Sequence, residues 1–98
     1  MDMQIIKEKI NNKEYYDCVK ILRQAILENL IKKMQEYNKE FKYTTTKDLY
    51  NKSKKTNNED LKKLTLQLFK LDISENSAEE DIYYLMEIYR ELNNISNL

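Results

Sequence analysis

The segment from residue 13 to residue 42 constrains the fold most, because as a helix it is apolar around much of its circumference. At about 100° per residue, one apolar stripe runs along the segment and widens between Cys18 and Ile31. The stripe consists of Tyr15, Val19, Leu22, Ile26, Leu30, Met34, Tyr37 and Phe41. A stripe of this width requires neighbours on more than one side. The pattern therefore predicts one long central helix, surrounded by other helices of the same chain or of a dimer.

The turns of this chain have to be built without glycine or proline, because the sequence contains neither. Clusters of asparagine, serine and threonine precede acidic residues instead, an arrangement that caps a helix N-terminus and complements its dipole. Ser77 to Glu80 has the pattern of a complete capping box. The predicted helical segments are 2–11, 13–42, 46–55, 58–72 and 77–95. We therefore expect a single all-α domain over residues 1–98, an antiparallel bundle of four to five helices.

Missing residue types exclude several classes of chemistry. Without histidine, the chain can build neither an imidazole-activated nucleophile nor an imidazole metal site. Without glycine, it cannot build a glycine-rich phosphate loop. Cys18 is the only cysteine, which excludes an internal disulfide and multi-cysteine zinc patterns. No apolar run reaches the ~18 residues of a membrane span. We expect a cytoplasmic protein that uses no cofactor and no metal, and a composition rich in lysine, asparagine and isoleucine suggests a bacterial source.

The charges are unevenly distributed along the chain, although the formal net charge is zero. Residues 1–56 carry 13 basic and 8 acidic side chains, whereas residues 57–98 carry 4 basic and 9 acidic ones. A molecule with such a dipole attracts its own copies or an oppositely charged partner. Alternatively, the two halves pack together in one domain and complement each other there.

A lysine-rich stretch with interleaved aromatic residues suggests a nucleic-acid contact. Lysines bind phosphates, and aromatic rings stack on unpaired bases. The candidate contacts are Lys42, Lys47, Lys52, Lys54 and Lys55. Glu40 and Asp48 interrupt the stretch, and a solvated edge of two helices explains the lysines equally well.

Exposed aromatic residues are candidates for a protein-partner interface. A second helix of ~45 Å either spans the whole molecule or projects beyond Asn38 from a compact domain. If it projects, Tyr37, Phe41 and Tyr43 need a partner. In the last segment, Tyr83 points away from the apolar face and Tyr84 lies at its margin. Tyrosines at such positions either form an interface or lie along the surface of the bundle.

Arg23 lies inside the apolar stripe of the second segment. A buried guanidinium without a partner costs several kcal/mol, so it needs a carboxylate or backbone carbonyls. Asp81, at the margin of the last helix's apolar face, is the candidate partner in a buried ion pair that fixes the helix register. The alternative is that Arg23 contacts a ligand or a phosphate.

Two stretches of the second segment resemble the long first bundle helix of HEPN-like proteins. They are residues 14–19 (EYYDCV) and residues 22–28 (LRQAILE), and Lys47-Asp48-Leu49 lies where that family often has a histidine–aspartate–leucine turn. The resemblance implies a helical bundle that dimerises and works in defence, toxin–antitoxin or mobile-element biology. Many HEPN proteins are ribonucleases that use an arginine followed a few residues later by a histidine. Here Ile95 lies five residues after Arg90, and the sequence contains no histidine.

We therefore predict a non-enzymatic helical protein that binds a protein partner, as a homodimer. The mechanism is burial of aromatic and aliphatic helix faces, with the uneven charge guiding the approach. Two alternatives stay open at this point. One is a module that binds RNA or single-stranded nucleic acid, and the other is a small immunity or inhibitor protein.

Overall fold

The computed structural model describes residues 2–95, and within them it contains five α-helices and no strand. The helices are α1 (Met3–Asn11), α2 (Tyr15–Tyr37), α3 (Thr46–Ser53), α4 (Glu59–Lys70) and α5 (Ala78–Asn93). The radius of gyration is 13.7 Å, close to the ~13 Å expected for a domain of this length. The prediction of an all-α helical bundle is confirmed.

Helices α2 and α5 form the centre of the bundle and run in the same direction. Asn29 hydrogen-bonds Asn93, and the Lys33 Nζ donates to the Ile95 carbonyl oxygen at 3.1 Å. Helix α1 packs on α2, helix α4 packs on both central helices, and α3 packs on α4. Helix α4 runs against α2, because the end of α4 lies beside the start of α2 and the start of α4 beside the end of α2.

Helix α2 is central because its apolar face is wide enough to meet α1, α4 and α5 at once. Its buried side chains are Cys18, Val19, Leu22, Ile26, Leu27, Leu30 and Met34. Each fully buried aliphatic side chain stabilises the fold by about 1.5–3 kcal/mol. The predicted central position of this helix is therefore confirmed.

The end of α2 differs from the prediction, because the helix stops at Tyr37 rather than at residue 42. Asn38 is extended, with φ −137° and ψ 103°. Its side-chain oxygen accepts a hydrogen bond from the Glu40 N–H at 3.1 Å, and its carbonyl accepts one from the Phe41 N–H at 2.9 Å. An asparagine side chain competes in this way with the helical backbone, and the resulting turn brings Phe41 back onto the bundle. The helix therefore does not reach residue 42, and the alternative of a projecting helix end is wrong.

The turn between α1 and α2 shows how a chain without glycine reverses direction. Lys13 has a positive φ of 59°, the left-handed conformation that glycine usually supplies after a helix. The Glu14 N–H donates to the Lys9 carbonyl at 2.9 Å across this turn. The Lys9 ammonium also lies 3.3 Å from the Glu14 carboxylate. These contacts compensate for the steric cost of a side chain in the left-handed region.

Helix caps follow the predicted chemistry at two helices but not at α5. The side chains of Thr45 and Asn58 each accept a hydrogen bond at 3.1 Å from the backbone N–H three residues later. The capping box predicted at Ser77 is not formed. Its hydroxyl donates to the Asp81 carboxylate at 2.7 Å and lies 2.9 Å from the Ser74 hydroxyl. Ser77 therefore satisfies a buried carboxylate rather than the helix N-terminus.

Replacing Ser53 by alanine is expected to raise the free energy of unfolding by about 1 kcal/mol. The Ser53 hydroxyl is fully buried in the last turn of α3 and has no hydrogen-bond partner within residues 2–95. Removing it abolishes a desolvation cost, and alanine is also the better helix former. Urea unfolding followed by circular dichroism measures the difference.

The matched control is Ser77→Ala, the same chemical change at a hydroxyl that has a partner. It leaves the buried Asp81 carboxylate without its 2.7 Å donor, so we expect stability to fall by about 1–3 kcal/mol. If Ser53→Ala and Ser77→Ala shift the urea midpoint in the same direction, the assignment of the Ser53 hydroxyl as unsatisfied is wrong.

Candidate functional site

The strongest candidate for a binding surface is the solvent side of α5. Helix α5 buries one side against α2 and α4, with buried residues recurring three and four positions apart as on any amphipathic helix. Tyr83 and Tyr84 lie outside that buried side and are 74% and 62% exposed. We call this surface the α5 outer face, and it consists of Glu79, Glu80, Tyr83, Tyr84, Glu87, Arg90 and Glu91.

The α5 outer face is acidic, since it carries four carboxylates and one guanidinium. Arg90 forms a salt bridge with Glu87. The other three carboxylates, those of Glu79, Glu80 and Glu91, have no basic group within 4.0 Å in the part of the chain that the structure describes. Acidic residues in the first turn stabilise the helix dipole, which accounts for the first two but not for the tyrosines. Two large aromatic rings thus lie among unpaired negative charges.

A groove between α4 and α5 borders this face on one side. It has a volume of about 350 Å³. Its apolar lining is Leu71 from the end of α4 and Tyr84 and Ile88 from α5, and its polar lining is Gln67, Lys70, Glu87 and Glu91. A partly apolar groove beside an exposed tyrosine is the kind of surface into which a partner side chain can insert.

The candidate lysines lie around a second groove, where α2 ends and α3 is followed by the turn to α4. We call it the basic groove; its volume is about 450 Å³. Its lining is Met34, Tyr37, Asn38, Glu40, Phe41, Lys42, Lys52, Lys55, Thr56 and Asn57. The structure thus brings together three of the five predicted lysines, whereas Lys47 and Lys54 lie outside the lining.

Two of the five lysines are already engaged within the chain. The Lys52 ammonium donates to the Lys42 carbonyl oxygen at 2.7 Å and lies 3.2 Å from the Asp48 carboxylate. The Lys54 ammonium lies 4.8 Å from the centre of the Tyr50 ring. Lys42, Lys47 and Lys55 form no salt bridge within residues 2–95, so their charges remain available to a partner.

The aromatic residues near the lysines are mostly covered, which corrects one predicted interface residue. Phe41 is only 8% exposed, because the turn at Asn38 folds it into the core, so it cannot offer an interface. The Tyr50 ring packs against Phe69 with the ring centres 4.9 Å apart. Tyr37 and Tyr43 remain exposed at 40% and 38%. Of these aromatic residues, which the sequence places near the lysines, only Tyr37 and Tyr43 are therefore exposed.

The predicted ion pair between Arg23 and Asp81 is not formed in the described part of the chain. Asp81 is buried, but it accepts its hydrogen bond from Ser77. Arg23 is half-buried, and its guanidinium carbon lies 5.9 Å from the centre of the Phe69 ring on α4. The aromatic face therefore takes the place that the carboxylate was expected to occupy. A ligand or phosphate contact of Arg23 stays a prediction.

Asp48 organises the connection between α2 and α3. Its carboxylate accepts hydrogen bonds from the Thr44 N–H at 3.0 Å and the Thr44 hydroxyl at 3.3 Å, and Lys52 lies 3.2 Å away. The Thr44 backbone N–H is the main cause that lowers the pKa of Asp48, followed by hydrogen bonding and attraction from Lys52. The ionised carboxylate thus holds one wall of the basic groove in place.

Asp48→Asn is expected to weaken the fold at neutral pH and to lose its effect in acid. Because the pKa of Asp48 is lowered on folding, its contribution is present above the pKa of an unfolded aspartate, about 3.9, and is lost as the pH falls through the folded value. Urea midpoints of the two proteins should therefore differ at neutral pH and converge only as the pH falls through the folded pKa of Asp48, which lies below the ordinary value.

A suitable control is Lys52→Met, which removes the ion pair but keeps the Thr44 N–H bond to Asp48. This variant should retain most of the pH dependence of the wild type, since the backbone bond is the larger cause. A constant difference between wild type and Asp48→Asn from pH 7 to pH 2 or so would contradict the assignment.

One surface was missed in the sequence, the outer groove between α1 and α2. Its volume is about 630 Å³, and Ile5, Ile21 and Ala25 form its apolar part. At the rim, Lys20 lies 3.4 Å from Asp17. The sequence does contain an indication of this surface. Ile5 is adjacent to Ile6, and adjacent residues of a helix point in different directions, so Ile5 lies outside the single apolar face of α1.

The described residues 2–95 contain no group of three or more cysteine, aspartate or glutamate side chains that could hold a metal ion. Burial raises the pKa of the Cys18 thiol, against a smaller opposing effect of Lys9, so the thiol is a poor nucleophile. Among the described helices, none has the length and apolar character needed to cross a membrane.

Comparison with known proteins gives no relative from which a function can be inferred. No protein-family model matches the sequence, and searches of curated proteins and of solved structures find no match either. The resemblance to HEPN-like proteins therefore stays a prediction that rests on residues 14–19, 22–28 and 47–49.

Proposed function

We propose that this chain is a non-catalytic protein-binding module that acts as a homodimer, and that the α5 outer face forms its contact surface. The observation that carries the proposal is the exposure of Tyr83 and Tyr84, at 74% and 62%. Tyrosine is enriched at protein interfaces because a rigid, large ring buries much area at little entropic cost. Clusters of such residues carry most of the binding energy in many complexes.

The fold itself does not require tyrosine at either position. The buried side of α5 does not include either tyrosine. The residues that form this buried side are Ala78, Asp81, Ile82, Leu85, Ile88 and Leu92. Charged side chains occupy most other exposed positions of the helix, which is the usual choice for a solvated face. Two adjacent aromatic residues among them are better explained by a contact outside the monomer.

Binding of RNA or single-stranded nucleic acid has less support. Lys42 and Lys55 offer phosphate contacts in the basic groove. Base stacking is restricted, however, because Phe41 is buried and Tyr50 is covered by Phe69. This alternative stays a prediction, as does a role as a small immunity or inhibitor protein. Titration of a fluorescent single-stranded oligonucleotide at two salt concentrations tests the first of them.

The proposal is tested by the oligomeric state of the protein in solution. We expect light scattering at tens of micromolar to give a mass near twice the 11.9 kDa of one chain. The double variant Tyr83→Ser, Tyr84→Ser should give the mass of one chain, because it removes both rings while serine and tyrosine have similar helix propensities. Circular dichroism should show that this variant remains folded.

The matched control is Met3→Ser, Ile5→Ser, which removes two exposed apolar side chains from α1 instead. This variant should keep the mass of a dimer. A wild-type protein that stays monomeric under these conditions overturns the homodimer. If the tyrosine variant and the α1 variant dimerise equally well, the α5 outer face is not the contact surface.

A further inference from the structure

Two surfaces of the molecule carry unpaired charges of opposite sign. The α5 outer face presents the carboxylates of Glu80 and Glu91 without a basic neighbour within 4.0 Å, and the basic groove presents the ammonium groups of Lys42 and Lys55 in the same state, within the described residues 2–95. Glu40 also lines the groove and reduces its positive charge without cancelling it. The two surfaces are therefore complementary.

These two surfaces cannot neutralise each other within one chain. Helices α2 and α5 run in the same direction with Asn29 beside Asn93. Glu80 and Glu91 therefore lie level with the start and the middle of α2, about 31 Å and about 15 Å before Tyr37 at about 1.5 Å per residue. Both separations exceed the Debye length of about 8 Å at physiological salt. Lys70 and Lys63 line grooves beside Glu91 and reduce the negative charge at that end of the face, but neither forms a salt bridge within residues 2–95.

We propose that the partner that covers the α5 outer face is the basic groove of a second copy of this chain, and that the reverse contact forms at the same time. This inference rests on the homodimer proposed above and names the two surfaces that meet. The longest dimension of the molecule is 41 Å, and the basic groove lies beyond the α5 outer face in the direction in which α2 runs. Two copies placed antiparallel about a twofold axis bring each acidic face onto the other copy's basic groove.

The shapes of the two surfaces fit this arrangement. The α5 outer face is a convex helix surface from which Tyr83 projects, and the basic groove is a concavity of about 450 Å³. Tyr37, which is exposed, supplies an apolar surface for an inserted ring, while Lys42 and Lys55 line the same groove and can pair with carboxylates beside that ring. Aromatic insertion supplies the affinity, and the charges select the orientation.

The test is a pair of charge-reversal variants, each of which should not dimerise alone, whereas a mixture of the two should dimerise. One variant is Lys42→Glu, Lys55→Glu, and the other is Glu80→Lys, Glu91→Lys. Each alone places like charges in both contacts of a dimer, so we expect the dissociation constant to rise by about 100-fold or more. An equimolar mixture pairs opposite charges in both contacts, so sedimentation velocity should again show a dimer.

The chosen positions keep the helices intact. A lysine at position 80 opposes the dipole of α5, but a lysine at position 91, near its C-terminus, favours it. The control Lys7→Glu, Lys32→Glu makes the same change in net charge at exposed positions outside the basic groove and should leave the dimer unchanged. In the wild type, raising the salt concentration should weaken the dimer.

The other outcomes distinguish this inference from the proposed function. If both charge-reversal variants dimerise like the wild type while the double tyrosine variant is monomeric, the α5 outer face is the interface but the basic groove does not cover it. If the mass grows beyond two chains with concentration, an open head-to-tail chain replaces the twofold dimer and the inference is overturned. A monomeric wild type overturns both proposals.

Discussion

Replacing Ile26 by alanine is expected to lower the free energy of unfolding by about 2–5 kcal/mol. Ile26 is fully buried in the middle of α2, the helix that contacts α1, α4 and α5. The substitution removes apolar area from the core and leaves a cavity that three packed helices cannot easily fill. Because domains of this size have only about 5–15 kcal/mol of stability, the loss should be plain in urea unfolding.

Ile21→Ala provides the matched control, since it makes the same chemical change on the same helix. Ile21 is 37% exposed at the outer groove between α1 and α2, so little buried area is lost there. We expect a change of less than about 1 kcal/mol, in part because alanine is the better helix former. Equal losses for the two variants would show that α2 is not surrounded as described.

Phe41→Ala is expected to cost about 3–5 kcal/mol, although residue 41 lies in a connection rather than in a helix. Its ring is 8% exposed and belongs to the core. Loss of the Phe41 ring also releases the turn at Asn38. Hydrogen exchange of the backbone amides should therefore become faster across residues 38–45, and the unfolding midpoint should fall.

Tyr43→Ala serves as the comparison, because Tyr43 lies two residues away, contacts Phe41 with the ring centres 6.4 Å apart, and is 38% exposed. It should cost far less than Phe41→Ala. Phe41→Leu should recover part of the loss, since leucine refills much of the volume. A Phe41→Ala protein as stable as Tyr43→Ala would mean that the connection does not anchor to the core.

The sequence was sufficient to place the core because its apolar pattern is dense and regular. The stripe on α2 from Val19 to Met34 is buried as its helical spacing predicts. The same stripe also contained Phe41, and that residue is buried too, but by a turn rather than by continued helix. Burial thus follows from hydrophobicity, whereas the end of a helix depends on one asparagine whose side chain competes with the backbone.

The candidate sites were harder to predict because they depend on which side chains meet across helices. Arg23 needed a partner, and the sequence offered Asp81, but the position of α4 puts the Phe69 ring beside the guanidinium. Asp81 instead accepts a hydrogen bond from Ser77, the residue immediately before its own helix. The apolar periodicity of a helix predicts which of its faces is covered but not which residues of other helices cover it. Side-chain contacts between helices therefore require the three-dimensional structure.

The same limit applies to the lysines. Five of them formed one group in the sequence, yet Lys52 is engaged with the Lys42 carbonyl and Asp48, and Lys54 with Tyr50. No property of the sequence separates these from Lys42 and Lys55, which remain unpaired within residues 2–95. The exposure of Tyr83, in contrast, follows from its place opposite the buried side of α5.

The pairing of α2 with α5 has a consequence for the order of folding. The hydrogen bonds that join these helices link residues 64 and 62 positions apart, so the central contact forms only after a long loop has closed. The hairpins of α1 with α2 and of α4 with α5 are local and can assemble sooner. A nascent chain therefore carries the bare apolar face of α2 through synthesis until the last helix emerges, which is the period when chaperone capture or aggregation competes with the native fold.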